Sequence, residues 1–284
     1  MTAAAARSDG ASSLLEARVA AKPGVVTWYE RHERLILGLL SFGGFFILWQ
    51  AGAAVGIVST YFFSSPLLIL AAAVKFVQTG TFWVDVRVSI TELLVGYVVG
   101  SALGIVFGLL AGWYRRFNLL INPWLSFVYS LPKIVIVPIM VLWFGLNMRS
   151  VIAAVFFGTF LTVLINTLHG VHTVDRRFLE VAASFRASRA RIFMTVVLPS
   201  TVPFIIAGLR LGVGQAMIGV FVGELFASTS SGLGYFIDNF GDVAEATPML
   251  FGVIVFTLIG VSIIGSLRIV EGRFQQWRPN AQIA

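Results

Sequence analysis

The sequence predicts an all-α integral membrane protein with about six transmembrane helices. Three observations predict it: long apolar runs nearly free of charge, basic residues gathered on one side of those runs, and glycines recurring at helical spacing. Of the 284 residues, 58% are hydrophobic and 12% charged, which excludes ordinary globular composition. A soluble chain would alternate apolar and polar faces along its surface helices. Here each apolar run approaches the roughly 20 residues that a helix needs to cross a hydrocarbon core.

The runs place spans at Leu35–Val58, Ile90–Trp113, Leu125–Leu146, Val151–Val171, Pro203–Phe226 and Met249–Ile269. Residues 1–34 contain no apolar core of signal-peptide type. The first run starts too far in and is too long for a cleaved signal, so it is expected to stay as a helix. The resulting organisation is an N-terminal tail (1–34), a membrane domain (35–271) and a C-terminal tail (272–284). The semi-polar stretch Ser59 to Val88, with Pro66, reads as a helix lying along the outer surface.

Charge orients the spans. With the N-terminus inside, the inner segments hold fifteen Lys and Arg and the outer ones only Lys75, Arg87 and Arg149. That asymmetry places both termini in the cytoplasm and the Asp238–Glu245 segment outside. The net charge of +7 is thus a topology signal. No basic face with interleaved aromatics offers itself to a phosphate backbone, so nucleic acid is excluded as a partner.

Two spans carry internal detail. In the second, Gly96, Gly100, Gly104, Gly108 and Gly112 recur every fourth residue. A row at that spacing drifts only about 40° per step and lets helix backbones approach closely in lipid. Helix packing is the reading it favours. In the third, Pro123, Pro132 and Pro138 surround Lys133. Proline removes a donor and clashes with the preceding turn, so this span is expected to be broken, beside protein or a water-filled route. Lys133, Arg210 and Glu224 are the ionisable residues read at membrane depth. Two readings of the cations stay open: a positive potential along an anion route, or snorkelling to a backbone carbonyl near a helix break.

Catalytic machinery is missing. The only lysines are Lys22, Lys75 and Lys133, and none closes a GxxxxGK[ST] loop, so the chain is no P-loop ATPase. Cysteine is absent. His169 and His172 have no carboxylate cluster that would complete a metal site, and no Ser or Thr sits in a known triad motif. No metal and no cofactor is expected on this chain.

The informative segment is the inner loop of about residues 174–199. Phe178, Leu179, Ala182 and Phe185 form an apolar stripe among five arginines, with only Asp175 and Glu180 as acids. Glu180, Ala182, Ala187, Ser188, Leu198 and Pro199 resemble the EAA loop of importer permeases of the ATP-binding cassette class. Trp143-Phe144-Gly145, Gly208-Leu209-Arg210 and Gly223-Glu224-Leu225 support that resemblance, which covers roughly Ser59 to Trp277. It is closest to the nitrate, sulfonate and taurine branch. One departure is Arg186, where the family usually has glycine. Glycine would permit a turn with positive φ, and arginine disfavours it, so the loop is expected to stay helical or to turn differently.

The resemblance implies a type I importer permease fold of the bacterial inner membrane, with residues 174–199 as a cytoplasmic coupling loop. It implies ATP and Mg on separate ATPase subunits that hold this loop. It also implies a periplasmic or lipid-anchored binding protein outside and a second permease copy beside this one in the lipid. The solute would be a small anion such as nitrate, bicarbonate, a sulfonate or an organic acid. The rival reading from the residues is an ion-gradient-driven carrier. That needs more intramembrane relays than the sequence shows.

Overall fold

The computed structural model describes residues 24–227 and 230–274. The expectations for the tails over residues 1–23 and 275–284 lie outside them. Every element among the described residues is helical. Among the described residues, five helices are long and apolar enough to cross a membrane, or six if the sharply bent pair is one span.

The chain divides into two compact units. The smaller holds α1 (Gly24–Ala54), on which Leu35, Leu39, Phe42, Ile47 and Leu48 stand largely exposed. This apolar surface all around suits a helix whose solvent is lipid. Its Gln50 side chain accepts the Leu67 backbone N–H at 3.2 Å.

The stretch expected to lie along the surface contains α2 (Thr60–Phe63) and α3 (Pro66–Val77). The larger unit is built around α4 (Gly80–Trp113), α7 (Met148–His172) and α10 (Leu198–Ala227). Helix α7 packs against both of the others, and its Val151, Val155 and Val163 are completely buried. Leu93, Tyr97, Val155, Val213, Ala216 and Val220 form a core cluster across the three helices.

Between α4 and α7 the chain forms α5 (Arg115–Ser130), a 3₁₀ turn (Lys133–Val135) and α6 (Ile136–Phe144). The expected span Leu125–Leu146 is therefore two helices meeting at 90°. The break falls at Leu131, which takes extended dihedrals (φ −75°, ψ 134°) because a residue before proline is excluded from the helical region. Pro138 does not interrupt α6, since it lies in the first turn, where backbone donors have no helical acceptor.

Two other boundaries differ from the hydropathy reading. Helix α4 begins at Gly80 and not at Ile90: Asp85 and Arg87 lower the local hydropathy without breaking the helix. The fifth span extends back through α9 (Arg189–Ile192) and a π turn (Phe193–Val197) into α10, a run of 39 residues. In that widened turn the Leu198 N–H bonds to the Phe193 carbonyl. The extra residue makes room for the Pro199 ring, which would crowd the preceding turn of a regular helix.

The Asp238–Glu245 segment is largely helical. It falls in α11 (Leu233–Asp242) and leads into α12 (Ala246–Phe274). Phe236 of α11 meets Phe76 at 5.2 Å and Phe82 at 5.6 Å between ring centroids, and Phe82 meets Phe251 at 5.0 Å. Such pairs contribute about 0.5–1.5 kcal/mol each beyond their area, and they hold α11 against α3, α4 and α12.

Candidate functional site

The 174–199 loop is built around α8 (Arg176–Ser184) and α9. Asp175 caps α8 by accepting the Arg177 N–H at 2.9 Å, and Ser188 caps α9 through the Arg191 N–H at 3.3 Å. Between the caps, Arg186 adopts φ +50°, the left-handed conformation that glycine would serve. Its N–H bonds to the Ala183 carbonyl at 2.8 Å, and the Ala187 N–H reaches the Ala182 carbonyl at 3.2 Å. This is the Schellman pair of helix-ending bonds. The expectation that arginine would keep the loop helical or make it turn differently is corrected: two hydrogen bonds hold arginine in the glycine-type turn against a steric cost of about 1–2 kcal/mol.

The apolar stripe on α8 divides. Phe178 and Phe185 are 62% and 83% exposed, and Val181, between them on the same face, is exposed too. Leu179, Ala182 and Ala187 are half-buried, with Leu179 turned toward Trp113 and Tyr114 at the end of α4. Glu180, Arg186 and Ser188 are exposed, and Leu198 and Pro199 are half-buried at the start of α10. The outward face is thus two aromatics and a valine rimmed by arginines. Val181 escaped the sequence reading because the stripe was drawn through Leu179.

The three ionisable residues read at depth are not brought together. Lys133, half-buried at the break in the third span, directs its Nζ to the Gln215 Oε1 at 3.1 Å and the Thr162 Oγ1 at 3.4 Å. The ammonium also lies 5.7 Å from the centre of the Tyr129 ring. These partners are neutral. Asn166, one turn beyond Thr162, donates to the Thr162 carbonyl at 2.8 Å, so α7 presents a short polar strip beside Lys133. Arg210 is half-buried on α10, fourteen positions before Glu224. Gln215 and Thr162 carry no local signal in sequence, because neither motif nor charge distinguishes them.

Glu224 is completely buried. Its carboxylate accepts the Ser89 hydroxyl of α4 and the backbone N–H groups of Gly234 and Tyr235 at the start of α11. Ser89 in turn accepts the Leu233 N–H at 2.8 Å, and Asp85 accepts the Gly232 N–H at 2.9 Å. Glu92, also completely buried, brings its carboxyl against that of Glu224. No donor among the described residues reaches either Glu92 oxygen. Sequence reading passed over Glu92, although it lies inside the span drawn from Ile90. Gly232 has φ +134°, and a side chain there would run into the Glu224 carboxylate. The cluster is a clasp that ties α4 and α10 to the first turn of α11.

The glycine row of α4 lies against α7. A Cβ at Gly96, Gly100, Gly104 or Gly108 would come within 2.8–2.9 Å of a backbone carbonyl of α7, and one at Gly112 would overlap Val171. The two backbones approach as closely as the absence of side chains allows.

Comparison with known proteins gives consistent matches. Residues 104–276 match the family described as binding-protein-dependent transport system inner membrane component. SsuC of Bacillus subtilis (strain 168), named for aliphatic sulfonates transport, is 31% identical over 241 residues, which cover 85% of this chain and 87% of its own. The taurine transport system permease protein TauC of Escherichia coli (strain K12) is 28% identical over 241 residues, covering 83% of this chain and 87% of its own. The fold recurs in a bacterial ABC transporter involved in import of the acidic polysaccharide alginate. There the TM-score is 0.58 at 15% identity, and the match covers 89% of this chain and all of that one.

Proposed function

Because this chain belongs to the binding-protein-dependent transport system inner membrane components, we propose that it passes a small anion across the membrane beside Lys133, driven by an ATPase docked on α8. The family role is that of a permease subunit of an ATP-driven importer in the inner membrane, a component without enzymatic activity of its own. The ion-gradient carrier reading is set aside.

The observation that carries the docking assignment is the exposed Phe178–Val181–Phe185 face. In the 174–199 loop, an apolar anchor inside a basic rim suits a groove on a soluble partner, where buried aromatics carry most of the binding energy. The caps at Asp175 and Ser188 and the turn at Arg186 present that face as a rigid knob, which lowers the ordering cost of binding. ATP and Mg would be held by the partner.

The anion assignment is supported by the Lys133 ammonium. It is half-buried and, among the described residues, satisfied only by neutral oxygens, so an anion passing it meets a cation without a counter-charge among them. The sulfonate and taurine names of the relatives support the same class. An external binding protein delivers the solute, and a second copy completes the pathway. The charge asymmetry supports cytoplasmic tails at 1–34 and 272–284 around the 35–271 membrane domain.

The test is a complex reconstituted in vesicles with its ATPase and binding protein. Phe185→Ala is expected to weaken ATPase retention roughly 30-fold, about 2 kcal/mol. Lys133→Met should keep the ATPase bound and lower taurine or sulfonate uptake at least about tenfold. Normal ATPase retention in Phe185→Ala refutes the docking face, and normal uptake in Lys133→Met refutes the anion route.

A further inference from the structure

At the corner between α4 and α5 two depressions adjoin, of about 510 and 630 Å³, sharing Trp113, Tyr114 and Arg189 in their walls. The first runs along the last turns of α4 past Val106 and Leu110 and is closed across by Phe193 and Met194. The second opens at the helix end onto Arg115, Arg116 and Arg189, with no Asp or Glu in its lining. Tyr114 alone separates α4 from α5, and its extended dihedrals (φ −101°, ψ 104°) make the corner. The Trp113 ring packs on Phe193 at 5.3 Å and fixes the wall between the two halves.

We propose that this corner is a binding site for one anionic glycerophospholipid, with an acyl chain in the apolar half and the phosphate on the three arginines. The lining changes from aliphatic to aromatic over about 10 Å of helix between positions 106 and 113, and to cationic around the Tyr114 corner at Arg115 and Arg116. A lipid has that same order along its length. Trp113 and Tyr114 sit where aromatic rings favour the headgroup level. The guanidinium forks of Arg115, Arg116 and Arg189 can grip phosphate oxygens through paired N–H groups. A soluble anion would have no use for the apolar half, and an apolar peptide none for three adjacent cations. Leu179 of α8 borders the basic half, so an occupied site would brace the helix that carries the proposed ATPase face. The lipid site itself does not depend on that docking assignment or on the identity of the solute.

The full-length chain, transferred into mixed micelles of phosphatidylglycerol and phosphatidylcholine, tests the site by native mass spectrometry. A basic residue at a membrane surface contributes about 1 kcal/mol toward an anionic lipid, roughly fivefold in affinity. Wild type should therefore retain phosphatidylglycerol in strong preference to phosphatidylcholine. Arg115→Gln with Arg116→Gln should lose roughly 30-fold of that preference, while Arg149→Gln, at the opposite end of α7, should lose none. Leu110→Trp should reduce retention by filling the apolar half with the arginines intact. Equal retention of the two lipids by wild type, or an unchanged preference in the double variant, overturns the proposal. So does displacement of the bound lipid by millimolar inorganic phosphate, which would mark a free-anion site, or a lipid-free dimer that excludes phosphatidylglycerol.

Discussion

Replacing Glu224 by alanine should release the first turn of α11 from the bundle. The carboxylate accepts the Ser89 hydroxyl and the Gly234 and Tyr235 N–H groups inside a fully buried site. Removing the acceptor strands Ser89 and Gly234 as buried donors, at about 1–3 kcal/mol each. The Tyr235 contact, at 3.4 Å, adds little. Alanine regains a few tenths of a kcal/mol of helix propensity in α10, which leaves a net loss of about 3–4 kcal/mol. Glu224→Gln keeps one carbonyl oxygen in the same place and should lose only about 1 kcal/mol. Because the clasp holds one helix end, the loss should be local. Hydrogen exchange over residues 230–242 of the solubilised protein should quicken by two to three orders of magnitude in Glu224→Ala, about 1.4 kcal/mol per decade. Glu224→Gln should stay within roughly tenfold of wild type. Glu92→Gln tests the facing group: it replaces the buried carboxyl with an amide whose N–H can donate to Glu224, so α11 should remain as protected as in wild type. If exchange in α11 were the same in Glu224→Ala as in wild type, the aromatic cluster alone would hold the helix and the clasp argument would be wrong.

Substitutions at three further positions probe the scaffold. Arg186→Gly removes a left-handed non-glycine residue, relieving about 1 kcal/mol of strain partly offset by chain entropy. The loop amides should exchange no faster than in wild type, whereas Arg186→Val should make them exchange faster. A methyl group at Gly104 would sit 2.9 Å from the Phe160 carbonyl, while one at Gly214 meets nothing within 4 Å. Gly104→Ala should therefore cost about 1–3 kcal/mol and lower the thermal unfolding temperature in detergent. Gly214→Ala should raise it slightly, and equal shifts in the two would remove the close-packing argument.

The parts of this fold legible in sequence are those set by local chemistry. Hydropathy reports the spans because lipid demands about 20 apolar residues wherever a helix crosses. The break at Leu131-Pro132 is legible because proline constrains its neighbour whatever surrounds it. Its 90° angle is not, since that depends on how α6 seats against α7. Helix α11 was hidden for the complementary reason. It is ten residues long with acids at Asp238 and Asp242, too short and too polar to read as a span. What holds it are Phe76, Phe82 and Glu224, all distant in the chain or in another helix.

Arg186 shows where local chemistry stops deciding. Residue identity argued against a left-handed turn, and the turn forms all the same. The steric preference is about 1–2 kcal/mol. Against it stand two helix-ending hydrogen bonds and caps at Asp175 and Ser188 that fix both flanking helices. A preference of that size decides a conformation only where nothing else has fixed the chain on either side. The same reasoning applies to Glu224. Its position at depth marked it as a pathway candidate, yet a pathway charge needs water or a passing ion for company, and this carboxylate is enclosed by Ser89, Glu92 and the α11 amides. On the proposed anion route, Lys133 would offer a passing anion partial burial, neutral partners and a break in the backbone beside it. Depth alone does not separate a structural charge from a transport charge; the proposed assignment rests on the partners that satisfy each.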